Sequence, residues 1–390
     1  MNKTKSVAII ILGTAVLAGA AFIARYALNA TATTPVAAEN NTAEPSNKFN
    51  QFEVGNRNVK SIYVDGTDVW IGTSGGAVQY DTETDNYRLY SVRNGLLANG
   101  VFHVTRIDDR IGVGTYGGGL SMFTEETEDW QIYNIPEGLG DAFVYWTLQA
   151  GNGDLWIATW TGANRIINAE IDNPDAWEIH TVKSTSTGQP NVGLPNDWVY
   201  GLAEGDNGEI WFATEGGLAR WDKGEWSHWT HPDGLGAPYD QVKDQNTFMT
   251  DPAEVSTHHA QQKVEMNLQD VTTAYNPNYI VAIEVDYEGT VWVGTWGGGL
   301  SSFDGETWTT YTMDHDLPSN HIFSLFEDSK KNLWIGTSHG LVRQSMDGFK
   351  KTYTRADGLY SDTVFSMAED DSGTLWVGSY GGVTRMNNLN

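Results

Sequence analysis

The sequence predicts an all-β fold: a seven-bladed β-propeller of four-stranded antiparallel blades, with the last blade closed by an N-terminal strand. Three observations predict it. A short motif, Trp-(Ile/Val/Phe)-(Gly/Ala)-Thr, recurs seven times, ending at Thr73, Thr115, Thr159, Thr214, Thr295, Thr337 and Ser379. The surrounding pattern repeats at about 42 residues, close to the period of a propeller blade. The two ends of the chain supply complementary parts of one copy.

Four strands can be read in each copy. The first begins at Val59, Val101, Val144, Val199, Ile280, Ile322 and Val364, always 14 or 15 residues before the Thr or Ser. A polar turn follows, such as Asp370-Asp371-Ser372-Gly373, then the motif strand, then a Gly-rich turn such as Ser74-Gly75-Gly76. A third strand, such as Gly299 to Phe303, leads to a fourth with aromatics three apart: Tyr87 and Tyr90, Trp130 and Tyr133, Trp226 and Trp229, Trp308 and Tyr311. Six copies carry the motif Trp; the second has Gly112 there, for which the sequence offers no reason.

A lone four-stranded unit cannot bury both faces, so the copies must stack. The seventh copy runs to its third strand, near Met386. Phe49 and Phe52, three apart and ahead of Val59, match its missing fourth strand. Pairing them closes the ring and limits exposed edges. Only 7 residues separate Phe52 from Val59, against 11 at four other junctions, so a tight junction is expected there.

Composition agrees. Aromatics make up 12% of the chain and Gly numbers 43, which suits short strands and tight turns. A formal charge of −27 repels phosphate backbones and disfavours nucleic acid as a partner. There is no Cys, which removes disulfides, thiolate catalysis and Cys-ligated metals.

Residues 1–30 read as a signal peptide or signal anchor. Lys3 and Lys5 precede an uncharged, mostly apolar run from Ser6 to Ala24, which Arg25 ends. Either reading places the rest outside the cytoplasm, periplasmic or secreted. An uncleaved segment would tether it to the inner membrane through residues 6–24. Residues 31–47 read as a flexible linker, and 48–390 as the propeller.

The run Asp-x-x-Gly-x-Leu-Trp-Ile-Gly-Thr, with Gly-Leu-Pro-x-Asn-x-Val ahead of it, resembles the two-component regulator propeller repeat. Asp371 to Ser379, Gly193 to Val199, Asp316 to Ile322 and Asp328 to Thr337 carry the resemblance, which extends over about residues 49–386. It implies an extracytoplasmic, ligand-binding sensor propeller serving signal transduction, often of carbohydrates. Larger proteins of that family join two propellers to an immunoglobulin-like linker, a membrane span and a histidine kinase. No such segment follows in this sequence, so the reading is a stand-alone propeller without a kinase.

The residues after each central Thr or Ser fall on one loop face. Tyr116, Trp160, Trp296 and Tyr380 would form an aromatic ring there, able to stack on sugar faces or apolar ligands, with Glu215 and His339 adding polar contacts. The first-strand positions expected nearest the central channel are mostly small (Ser61, Gly201, Ala282, Ser324, Ser366), and His103 and Trp146 break the set. An insertion at about 238–277 follows blade 4 on the same face, as a lid or docking element. Within it Asp251-Pro252 opens like a capped helix that Val255 to about Leu268 would continue.

These readings favour an exported, non-catalytic propeller that binds a carbohydrate or small ligand, with no cofactor. The alternative is a protein-interaction scaffold in an extracytoplasmic complex. The least favoured is a metal-dependent lyase. Virginiamycin B lyases are also seven-bladed propellers, with His and Glu around a metal, but no residues here match them. His228, His231, His258 and His259 form no expected metal site, since neighbours on a helix point about 100° apart.

Overall fold

The computed structural model describes residues 49–387, apart from positions 267, 272, 347 and 349. The N-terminal signal segment and the linker lie outside the described residues. Among the described residues no helix is long and apolar enough to cross a membrane.

The strands form five four-stranded sheets and one six-stranded sheet. The six-stranded sheet is two blades joined by one long strand, Phe49–Asp65. Its residues 49–53 pair with 382–386, and its residues 59–65 pair with 68–73. Residues 375–379 pair in turn with 364–369. The blades therefore number seven, and the N-terminal strand completes the last. The junction expected to be tight has no loop at all. The first strand of each blade contacts those of both neighbours right round the ring, and 49–65 meets both 101–107 and 364–369.

Each letter of the motif has a physical reason. The Trp fills the gap between successive blades: Trp70 packs with Tyr90 of its own blade and Val101, Val104 and Phe123 of the next. The Gly or Ala admits the next blade. A Cβ on Gly72 would lie 2.8 Å from Val101 Cγ1, and one on Gly378 would lie 2.6 Å from Val59 Cγ1. The Thr hydroxyl ties the turn, donating to the carbonyl three or four residues on and accepting an N–H from within it. Thr73 shows both bonds, to the Gly76 carbonyl at 2.8 Å and from the Gly75 N–H at 3.0 Å.

The flanking polar residues are equally specific. Asp286, Asp328 and Asp370 each accept the indole N–H of the Trp six residues on, at 2.7, 2.8 and 2.9 Å. The Asn or Asp ahead of the first strand accepts the N–H of the residue two past the previous fourth strand or close to it. This bond joins Asn99 to Val92, Asn278 to His231, Asn320 to Met313 and Asp362 to Arg355. It fixes these four blade-to-blade crossovers.

Gly112 now has its reason. A Cβ there would lie 2.5 Å from Ile107 Cδ1, so Ile107 and Met122 occupy the space that a Trp fills elsewhere. Blade 3 completes this core with Ala169 and Ile171 from an extra loop.

The insertion is compact. Ala237, Val242 and Tyr275 form its small core, and the Tyr275 hydroxyl donates to the Ala237 carbonyl at 2.7 Å. The single helix expected from Asp251 to about Leu268 is instead a short 3-10 turn, Pro252–Glu254, followed by a helix, Thr257–Glu265. Asp251 caps the turn by accepting from the Ala253 N–H at 2.9 Å, and Ser256 starts the helix afresh.

Candidate functional site

One face of the ring opens into a cavity of about 710 Å³, a usual size for a small-ligand site. Its wall comes from a β-bulge repeated in all seven blades. The pairing of first and second strands skips Lys60, Phe102, Tyr145, Tyr200, Val281, Phe323 and Phe365. A bulge leaves its extra residue unpaired and re-aims the side chain. All seven of these residues line the cavity.

This shifts the expected channel by one residue. Ser61, Gly201, Ala282, Ser324 and Ser366 stand directly opposite the motif Gly or Ala and face the next blade. Ser61 Oγ accepts the Val104 N–H at 3.0 Å, and Ser366 Oγ donates to the Val59 carbonyl at 3.1 Å. His103 occupies the same buried position, so it does not reach the cavity. Its Nδ1 is 3.0 Å from Thr147 Oγ1, its ring stacks on Trp146 at 4.0 Å, and burial pushes its pKa down to about 3. Trp146 does line the cavity.

An outer tier of aromatics surrounds the mouth. Tyr116, Trp160, Trp296 and Tyr380 are all in the lining, as the loop-face pattern suggested. Trp160 stacks between Phe143 (4.2 Å) and Trp198 (4.4 Å), and Trp296 stacks on Tyr279 at 5.4 Å. The two polar candidates are elsewhere. His339 is exposed and off the cavity, with its Nδ1 2.8 Å from Ser338 Oγ. Glu215 is wholly buried behind the wall, and accepts from the Tyr200 hydroxyl at 3.2 Å. Burial holds the Tyr145 and Tyr200 phenols neutral, with pKa values well above the ordinary one.

The insertion roofs this cavity. Phe248, Thr250, Pro252 and 255–259 are part of the lining. Contacts to the ring hold the roof at several points. His258 and His259 straddle Glu215, with Nε2 of each at 3.1 and 3.6 Å from different carboxylate oxygens. The 100° divergence of helical neighbours is what lets one histidine meet each oxygen. Asn246 Nδ2 donates to the Gly297 carbonyl at 3.0 Å, and His321 Nε2 lies 2.8 Å from the Ala274 carbonyl. His228 and His231 are occupied elsewhere, with Nδ1 against the Gly193 and Leu235 carbonyls. Among the described residues no group of three His, Cys, Asp or Glu side chains is placed to hold a metal ion.

The cavity's charge is opposite to the protein's. The chain carries 50 acidic residues, yet no Asp or Glu is among the described residues that line it. Lys60 and Arg57 do. Lys60 Nζ lies 4.6 Å over the Phe365 ring, and burial pushes its pKa down to about 8.

Sequence comparison identifies the repeat unit: the two component regulator propeller is matched at 193–216, 274–297, 316–339 and 361–381. These are two component regulator propeller repeats. The second match begins at Ala274, so the repeat resumes within what the spacing assigned to the insertion. No curated protein matches the sequence. Among solved structures, the extracellular domain of a hybrid two component system from B. thetaiotaomicron is similar, with a TM-score of 0.64 and 18% identity over 87% of this chain. This chain covers 42% of that one. A catalytically inactive virginiamycin B lyase from Staphylococcus aureus, solved with quinupristin, has a TM-score of 0.60 at 13% identity, over 86% of this chain and 98% of that one. PorZ, a surface component of the type-IX secretion system of Porphyromonas gingivalis, has a TM-score of 0.53 at 14% identity, over 84% of this chain and 46% of that one. At these identities the three likenesses show a shared fold.

Proposed function

We propose that this protein is an extracytoplasmic, non-catalytic sensor-type propeller that takes a small molecule or carbohydrate into the roofed funnel. One observation carries the reading: a cavity of about 710 Å³ walled by aromatic side chains at the mouth of a closed ring. Flat aromatic faces bind sugar rings and apolar ligands by stacking, and the roof removes such a ligand from water. The family-type repeats and the extracellular source of one structural relative support the sensor role and the location outside the cytoplasm. The N-terminal run, Ser6 to Ala24, supports export and a membrane tether.

The test is a thermal-shift screen of the propeller against oligosaccharides and small aromatic compounds. A hit should raise the melting temperature of the native protein and lose most of its effect in Trp296→Ala. A screen without hits, with Trp296→Ala leaving the capture of a protein partner unchanged, would sink the reading. Capture that depends on residues 240–273 instead would favour the scaffold reading.

A further inference from the structure

The structure assigns the ligand of this funnel a negatively charged group, received by Lys60, on a molecule whose ring face stacks on the aromatic wall. The inference rests on the ligand-binding reading and narrows it to anionic ring compounds.

Three observations carry it. The seven bulge positions are equivalent by construction, and six hold Phe, Tyr or Val. Lys60 alone brings a charge to that ring. Second, the charge is uncompensated: among the described residues no carboxylate lies within ion-pair distance of Lys60 or Arg57, although ion pairs form elsewhere in the molecule. Third, the cavity mixes two chemistries. Its lining joins polar groups, Arg57, Asn58, Ser74 and Asn99, to many aromatic rings, and Lys60 itself lies over one of these, Phe365.

An ammonium held in a cavity without a counter-ion is costly, and the lowered pKa of Lys60 reports that cost. A bound anion offsets it by supplying the missing partner through a charge-assisted hydrogen bond. The net charge of −27 disfavours anions at the acidic surface, which adds to the contrast with the basic groups of the funnel. An acidic saccharide and an aromatic acid share this chemistry, a ring face with an attached carboxylate or sulfonate.

The test uses two dyes with one ring system, anilinonaphthalene sulfonate and the uncharged anilinonaphthalene. Both are titrated by fluorescence into the native protein, Lys60→Met and Lys60→Arg. The ratio of the two dissociation constants should move about tenfold against the sulfonate in Lys60→Met and stay near native in Lys60→Arg. A Lys60→Met change that weakens both dyes equally, or neither, overturns the inference and leaves the ligand-binding reading standing. If neither dye binds the native protein, the ligand-binding reading falls, and this inference with it. Displacement of the sulfonate by digalacturonate rather than phenylacetate would assign the anion to a saccharide, and the reverse order to an aromatic acid. Displacement by neither at millimolar concentration overturns the assignment of a ring-borne carboxylate.

Discussion

His258 Nε2 stands 3.1 Å from Glu215 Oε2, and Glu215 has no exposed surface. The residue that ends a motif strand in blade 4 therefore holds the first turn of the insertion's helix. His258 also stacks on Trp198 at 3.7 Å, so the helix meets the ring through a carboxylate and an indole.

The first prediction concerns that carboxylate. Glu215→Gln keeps the shape and replaces an oxygen that faces a histidine with an amide nitrogen, which costs about 1–3 kcal/mol locally. The loss should fall on the roof rather than the ring. Amide exchange of 256–265 should quicken about tenfold or more, with the motif strands unchanged. Uniform acceleration would show that the roof and the ring open together.

The second prediction concerns ring closure. Phe52 stacks on Trp376 at 6.0 Å and meets Tyr80 at 5.2 Å, across the junction of blades 7 and 1. Phe52→Ala removes a ring from a partly exposed site, so about 2–3 kcal/mol of stability should be lost, read as a lower urea midpoint. Limited proteolysis should then cut near 49–53 first. Cutting first within blades 2 to 6 would mean that the closing strand is not the weak point.

The ring was legible in the sequence because its signals are local and repeated. A Trp in six of the seven blades, a Gly or Ala that admits the next blade, and an Asp that must reach an indole are set by fixed offsets. The funnel was half legible. Tyr116, Trp160, Trp296 and Tyr380 follow the motif directly, so their position could be counted. Lys60, Phe102 and Phe365 were missed because a bulge adds one residue to the strand, and counting by alternation then selects Ser61, His103 and Ser366. A sequence signal existed: six apolar or aromatic residues recur immediately after the first Val or Ile, where alternation asks for the other face. Glu215 was misplaced for another reason. Its partners His258 and His259 are some forty residues away in an insertion with no repeat register.

The third prediction separates packing from hydrogen bonding in the motif. Asp328 accepts from Trp334 Nε1 at 2.8 Å and from the Lys330 and Asn332 N–H groups at 2.9 and 2.8 Å. Asp328→Ala should cost about 2–3 kcal/mol, because buried donors lose their acceptor. A double-mutant cycle with Trp334→Phe should show a coupling of about 1 kcal/mol. Additive costs would mean that the indole bond contributes nothing net.

The fourth prediction is a pH dependence set by Glu284. Burial, with Glu327 adding to it, pushes this carboxyl up to about 8. Unfolded, it would ionise near the ordinary value of about 4.3. The folded state thus holds a proton that the unfolded state has released, so this group's contribution is complete below pH 4.3 and is lost as pH rises through 8. His103 and His321 act in the opposite sense. Burial holds them at about 3 and 4, so protonation of the unfolded chain destabilises the fold as pH falls below about 6.5. The Glu284 effect is cleanest between pH 6.5 and 8. Stability from urea unfolding should fall across that interval in the native protein and stay nearly level in Glu284→Gln. Equal slopes in the two proteins would place the titrating group elsewhere.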